Sequence, residues 1–394
     1  MLTGLDNTCR ECNITFESFE YVLRHIRCHK LNARQYILKW KYNNQPPLCD
    51  CGCNRENKWN VALKDFTRFI HGHHAYGRIK SEEEKEKKRE YVRQWRSDNK
   101  EKVVATVGYI NTGVALASQR FYQDAKIPVM NNVATGSIIT KQFVAPDHKE
   151  NYVFRVSAND TIQSAMIVEE AVGKRKLAKV AILADSTNYG QLGREDLEKA
   201  LAAKGMKPVV VEKFNIKDVD MTPQLLKAKQ AGAQAILTYG IGPELAQIAN
   251  GMEKLNWKVP MIGSWTLSMA NFLDNAGKNG NGATMPQTFI QDPNTPKRKA
   301  FIDAYQKAYK VERIPSPVSA AQGYDSVYLL VAAIRQAGTT DGSKVREALE
   351  SLNEKVEGVV TTYSKPYSAD DHEAIKPGIP VMGEAKDGHI VLSK

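Results

Sequence analysis

The sequence predicts an α/β protein of two doubly wound lobes with parallel sheets, the first lobe incomplete, preceded by a small zinc-finger module and a charged linker helix. Three observations carry that expectation. From residue 103 onward, short apolar runs alternate with amphipathic stretches, the rhythm of a parallel sheet covered by helices on both faces. All six cysteines lie in the first 53 residues, and five of the eight histidines in the first 74. Between these parts, residues 81–99 (SEEEKEKKREYVRQWRSDN) run from acidic to basic behind a capping Ser81, as suits a helix macrodipole.

A chain of 394 residues, 42% hydrophobic, can bury the cores of two or three domains. No apolar run reaches the roughly 18 residues that would span a bilayer. Residues 1–27 lack the basic start, apolar middle and small-residue cleavage site of a secretory signal, so the expectation is a cytoplasmic chain. Thiols clustered with imidazoles then point to metal rather than disulfides. Residues 1–100 hold 20 Lys and Arg against 13 Asp and Glu; the remainder holds 35 against 31. The front quarter therefore has the composition of a nucleic-acid binder, and the rest that of a globular receptor.

Cys9-x2-Cys12, twelve residues, then His25-x3-His29 has the spacing at which two thiolates and two imidazoles close a tetrahedral zinc site. Phe16 and Val22 fall where such a finger places its small core, and residues 21–29 would be its helix, with both histidines on one face. A second zinc site is expected from Cys49, Cys51 and Cys53 with His73, Gly52 allowing the tight ligand loop; the spacing leaves open which of His71, His73 and His74 closes it. Trp59, Phe66 and Phe69 read as packing beneath it. Residues 1–78, through the finger, the helix at 32–40, the Cys-x-Cys-Gly-Cys loop and the pattern at 69–73, resemble the zinc-binding modules of phage homing endonucleases. The resemblance implies DNA contact through residues 1–100, without cleavage, since no nuclease domain follows. Tyr91, Val92 and Trp95 give the 79–102 linker a narrow apolar stripe, open to a DNA-backbone or dimer contact.

Residues 179–205 set the pattern for the receptor part. The run from Val180 to Ala184 reads as a strand buried on both faces, Asp185 to Gly190 as a polar loop, and the stretch with Leu192, Leu197 and Leu201 as a helix ending at Gly205. Ligands of such sheets sit beyond the strands' carboxyl ends, here the loop 185–190. Strands are likewise expected at 103–109, 127–131, 208–213, 235–239 and 259–263. Helices are expected at 114–125, 161–172, 243–255, 297–309 and 323–337, with one opened by Thr222-Pro223.

The series GYINTG (108–113), IPVMNNVAT (127–135), FRVS (154–157), DSTNYG (185–190) and GYDSVY (323–328) resembles type I periplasmic solute-binding proteins, the leucine/isoleucine/valine-binding group serving branched-chain amino acid transporters. The resemblance covers about 101–394. It implies lobe one at about 103–153 plus 288–361, lobe two at about 154–287 plus the tail, a periplasmic location, and an ABC transporter permease as partner on export. It implies that Thr112, Ala134 and Thr135 contact the ligand carboxylate and that Tyr189 covers the ligand; otherwise Thr135 only caps a helix and Tyr189 is a loop aromatic. Tyr239 joins from a neighbouring loop. Where the family places an acid for the ligand ammonium, this chain has Ser264-Trp265, which leaves a ligand other than a simple α-amino acid open. The family's first strands have no counterpart in residues 1–102, so residues 103–109 should present an uncovered edge.

No motif supports catalysis: the glycines at 277, 280 and 282 follow a helix, and His148, His372 and His389 are scattered. The expected function is binding of an amino acid or related small carboxylate by lobe closure, without an enzyme activity. The alternatives are a zinc-dependent DNA binder with a ligand-sensing core, and a gene fusion without integrated function.

Overall fold

The computed structural model describes residues 7–15, 17–48 and 103–393, with Glu56, Trp59, Asn60, Asp65, Phe66, Glu86, Glu90 and Gln94 between them. The chain divides into two units, Met1–Asp98 and Asn99–Lys394. In the first, a turn brings the Cys9 amide to the Ile14 carbonyl at 2.8 Å. The expected finger helix is split: Phe19–His25 is α-helical, and Ile26–His29 tightens into a 3₁₀ turn that ends on Lys30 in the left-handed region. A second helix, Ala33–Lys41, is opened by a reciprocal capping box between Asn32 and Gln35. Its Tyr36 and Ile37 bury with Cys9, Val22 and Ile26 as the core of this unit. Phe16 and the side chain of Phe66 lie outside the described residues, as does the second set of metal-ligand candidates, Cys49, Cys51, Cys53 and His73. Strands β1 (Trp59–Asn60) and β2 (Asp65–Phe66) pair antiparallel. Glu86, Glu90 and Gln94 are helical, within the expected linker helix.

The second unit holds a three-stranded parallel sheet, β3 (Thr106–Val107), β4 (Val129–Asn131) and β5 (Val153–Arg155), paired in that order. A seven-stranded sheet follows, made by β6 (Val180–Asp185), β7 (Val210–Phe214), β8 (Ala235–Tyr239), β9 (Met261–Gly263), β10 (Thr284–Gln287), β13 (Val381–Lys386) and β14 (His389–Leu392). Its order is β14-β13-β10-β9-β8-β6-β7, with β13 antiparallel to both its neighbours, β10 and β14, and the other pairs parallel. A short hairpin, β11 (Val356–Glu357) and β12 (Thr362–Tyr363), stands apart. The chain passes from the first sheet to the second after β5, returns after β10, and crosses again before β13. The outcome is two α/β lobes joined by three passages of the chain.

Every residue of β6 and β8 is buried. Runs such as Val-Ala-Ile-Leu-Ala have no polar face to turn outward, so only a central strand suits them. Edge strand β7 alternates instead, with Glu212 and Lys213 among its valines. The helix expected at 161–172 is α-helical only over Asp160–Val168 and continues as a π-helix, Glu169–Lys174. The strand expected at 103–109 pairs over two residues only.

One buried carboxylate organises lobe one around the hairpin. Asp325, on the helix Pro317–Ala337, has no exposed surface and accepts from the Val359 amide (2.7 Å), the Val360 amide (2.9 Å) and the Tyr363 hydroxyl (2.8 Å). Burial pushes its pKa up, while these three donors pull it back. Asp325→Ala leaves three buried donors without their acceptor, and should cost on the order of 3 kcal/mol in urea unfolding of the full chain; a change within error would mean the hairpin does not depend on this residue.

Candidate ligand cleft and metal-ligand cluster

The expected ligand residues separate into those that build the cleft wall and those that face inward. The loop 134–136 follows β4, and four contacts hold it. The Gly136 amide donates to Thr112 Oγ1 (3.2 Å), and the Gly136 carbonyl accepts from Arg155 Nη1 (2.7 Å). The Ala134 carbonyl accepts from Ser157 Oγ (2.8 Å), and the Thr135 carbonyl from the Asp160 amide (2.9 Å). A Cβ on Gly136 would lie 2.3 Å from Thr112 Cγ2, so only glycine lets the loop come this close. Thr112 thus acts on the loop. The Ala134 amide is also engaged, with the Tyr109 carbonyl at 2.8 Å.

Thr135, by contrast, is buried and its hydroxyl has no hydrogen-bond partner among the described residues. Beside it stands Asp160, which the sequence reading did not single out. Asp160 is fully buried; Oδ1 accepts from the Tyr239 hydroxyl (3.0 Å) and Gln163 Nε2 (3.2 Å), and Oδ2 has no partner among the described residues. Burial raises its pKa to about 7, against the lowering by the nearby Thr135 hydroxyl, by Arg155 and by Tyr239. The Thr135 hydroxyl is thus near this carboxyl without meeting it in hydrogen-bonding geometry.

The second lobe supplies aromatic groups. Tyr189 and Tyr239 meet edge to face at 5.4 Å, and a Cβ on Gly193 would collide with the Tyr239 ring, so that glycine seats the ring against the helix Asn188–Ala203. The Tyr189 hydroxyl donates to Ser264 Oγ at 2.7 Å. Burial drives both phenols well above their ordinary pKa. Trp265 opens a 3₁₀ turn after β9 and packs across the cleft on Val133 and Val318 of lobe one. Its backbone amide donates to Gln163 Oε1 (3.1 Å), but its ring Nε1 is buried without a partner among the described residues. Thr135, Gln163, Trp265, Thr288, Val318 and Gln322 surround a space of about 10 Å³. That is room for about one water molecule.

In the first unit, one ligand atom each from Cys9, Cys12, His25 and His29 lie within 4.8 Å of one another. Cys12 Sγ and His29 Nε2 each stand 3.2 Å from His25 Nε2. The donor set and this convergence fit a tetrahedral ion held by two sulfurs and two nitrogens.

Two α/β lobes thus face each other across a cleft on which buried polar atoms converge from both sides. The chain belongs to the periplasmic binding protein family, whose model matches residues 84–388. The Leucine-, isoleucine-, valine-, threonine-, and alanine-binding protein of Pseudomonas aeruginosa is 26% identical over 247 residues, 62% of this chain and 63% of that protein. Leu/Ile/Val-binding protein homolog 3 of Brucella melitensis is 26% identical over 237 residues, 60% of this chain and 61% of that one. The chain therefore spans less than two thirds of these relatives' own lengths. Among solved structures, a periplasmic binding protein type 1 from Bordetella pertussis is 28% identical, with a TM-score of 0.66 over 77% of this chain and 84% of that one. A branched-chain amino acid transporter substrate-binding protein from Streptococcus pneumoniae, solved with isoleucine, shares the fold at 24% identity and a TM-score of 0.64, over 75% and 80% of the two chains. These relatives are solute-binding proteins rather than enzymes. Among the described residues, no helix is long and apolar enough to cross a membrane.

The raised pKa of Asp160 has a signed consequence. Its carboxyl stays protonated in the fold up to about pH 7, but ionises in the unfolded chain near 4. The stability this contributes is complete below about pH 4 and is lost as pH rises through 7. Asp160→Asn should flatten that part of the profile; urea midpoints of both proteins at pH 5 and pH 8 test it, and an equal change in the two would remove Asp160 from the account.

Proposed function

We propose that residues 103–393 bind a small zwitterion, an amino acid or a closely related carboxylate, between the two lobes and close on it without chemistry. The observation that carries this reading is the set of three buried polar atoms without partners among the described residues, Thr135 Oγ1, Asp160 Oδ2 and Trp265 Nε1, drawn from both lobes. Natural folds rarely leave such atoms unpaired, because each costs about 1–3 kcal/mol. The indole N–H and the threonine hydroxyl suit a carboxylate, and the Asp160 carboxyl suits an ammonium. Asp160 thereby restores an acid that the Ser264-Trp265 sequence had seemed to remove. The Trp265 ring and Val318 favour a short apolar side chain. Because the closed space is about 10 Å³, entry requires the lobes to part. The two curated relatives carry branched-chain amino acids in their names, which makes leucine, isoleucine and valine the first ligands to try. Delivery to an ABC transporter permease is the partner role this reading implies.

Calorimetric titration of the full chain with leucine, isoleucine, valine, alanine and their deaminated carboxylates tests the reading. Binding of at least one amino acid is expected, weakened about tenfold to a hundredfold in Thr135→Val through loss of one hydrogen bond to a charged group. No heat and no thermal shift with any member would sink it.

For the first unit we infer a zinc site at Cys9, Cys12, His25 and His29, supported by the convergence of their four ligand atoms. Its core holds few buried side chains, and units of this size draw much of their folding energy from the ion. The full chain should bind cobalt(II) with the visible spectrum of a tetrahedral thiolate site, and Cys12→Ser should lose it. Chelation should abolish amide protection in residues 7–48 while leaving residues 103–393 protected; protection that survives chelation would overturn the assignment.

A further inference from the structure

The residues from Val103 to Ile110 read Val-Val-Ala-Thr-Val-Gly-Tyr-Ile, as apolar as β6 and β8, yet none is buried. Val107 is 39% and Ile110 76% exposed. The Thr106 and Gly108 amides donate to the Pro128 and Met130 carbonyls of the β4 side. By strand alternation, the backbone groups of Ala105 and Val107 point the other way, where the described residues provide no strand. Beside β3, the helix Pro317–Ala337 adds Val327, Tyr328 and Val331, all exposed and on one helical face. Edge strands in monomeric proteins are guarded by lysine, acidic residues, proline or a covering element. From Val103 to Ser118 there is no charged residue and no proline.

We propose that this edge is the contact between two copies of the chain, with β3 pairing antiparallel to β3 of the second copy across a two-fold axis near Thr106. Three features favour a second copy over a foreign strand. The strand segment from Val103 to Ser118 is uncharged, so apposing it with itself brings no like charges together there, the nearby Lys297 ammonium lying over the Tyr328 ring at 5.0 Å. Its apolar row on the neighbouring helix meets the same row under two-fold symmetry, as an isologous contact requires. The far edge of the sheet is already closed: the Arg155 amide donates to the His372 carbonyl and the Ala374 amide to the Arg155 carbonyl, each at 2.9 Å. Among the described residues this leaves one open edge on the β3-β4-β5 sheet, so pairing through it stops at the dimer. The contact lies on lobe one and is independent of what the cleft binds.

Sedimentation velocity of the full chain at micromolar concentration, with zinc and without ligand, tests it. A dimer is expected for the wild type. Val107→Lys puts one ammonium group from each copy on the same face of the paired strands, diagonal to each other across the axis, and should raise the dissociation constant at least about tenfold, and Val331→Glu on the helix should weaken the dimer independently. Val219→Lys, at an exposed valine of lobe two, should leave it intact. Circular dichroism and melting of the variants should match the wild type, since the replaced side chains are exposed. A monomeric wild type, a dimer unmoved by both edge variants, or a monomer that acquires a strand–helix segment from another protein would each overturn the proposal.

Discussion

A guanidinium with no exposed surface lies beneath the cleft loop, and the architecture of lobe one follows from how its charge is met. Arg155 gives Nε to Glu373 Oε2 at 2.7 Å and Nη2 to Glu373 Oε1, and keeps Nη1 for the Gly136 carbonyl. Leaving such a cation unpaired would cost several kcal/mol, so its counter-ion has to be delivered to the spot. Glu373 arrives with the chain's last passage through lobe one. That passage pairs beside β5, and His372 stacks on Phe154 at 3.9 Å. One side chain therefore binds the C-terminal passage to the loop that presents Thr135, and both must be in place before the cleft wall exists.

Five residues along, Asp160 meets the opposite treatment. Its Oδ1 is satisfied and its Oδ2 is not, so the fold holds a carboxyl whose charge is compensated only in part. The proton it keeps up to about pH 7 is the least costly way to bury it. A ligand ammonium placed there would take over the proton's role, so that near neutral pH binding and proton release are coupled. Arg155, already committed to Glu373, stabilises the ionised form without neutralising it. The contrast between a paired charge that builds and an underpaired charge that waits is the main electrostatic content of the site.

What the sequence disclosed depended on the range of the contact involved. Central strands were legible because burial on both faces leaves a local signature: 180–184 and 235–239 match β6 and β8 within a residue. Glycine 205, expected to stop the helix, has φ of +71° just after it. Contacts between distant residues were not legible. Asp160 follows Asn159 at a helix start, where an acid reads as a dipole partner, and only folding brings Tyr239 to it across 79 positions. Thr112 was expected at the ligand carboxylate from the resemblance alone, and its contact with the Gly136 amide 24 residues on left no local sign in the sequence. The run at 103–109 read as a strand from its apolarity, yet pairing extends only over Thr106–Val107, because apolarity records the tendency of a segment and a ladder needs a neighbour.

Lobe one keeps its core despite a sheet of three short strands, and the reason lies in where that core comes from. Met130, Phe154, Val156 and Ala158 are the contributions from before the first crossing; the rest run from Phe289 to Ile375. The helix Pro317–Ala337, the hairpin and the helix Gly342–Glu350 are thus packed on one another through Leu329, Val345, Leu349 and Tyr363, all buried. Burying such side chains is worth about 1.5–3 kcal/mol each, and none of those contacts passes through β3. The cleft loop hangs from β4 and β5 and is locked by Arg155, Ser157 and Thr112, again without β3's open side. A lobe built this way can leave one strand edge bare and still hold Thr135 and Asp160 in place, so the cost of the short sheet falls on its surface and spares the site.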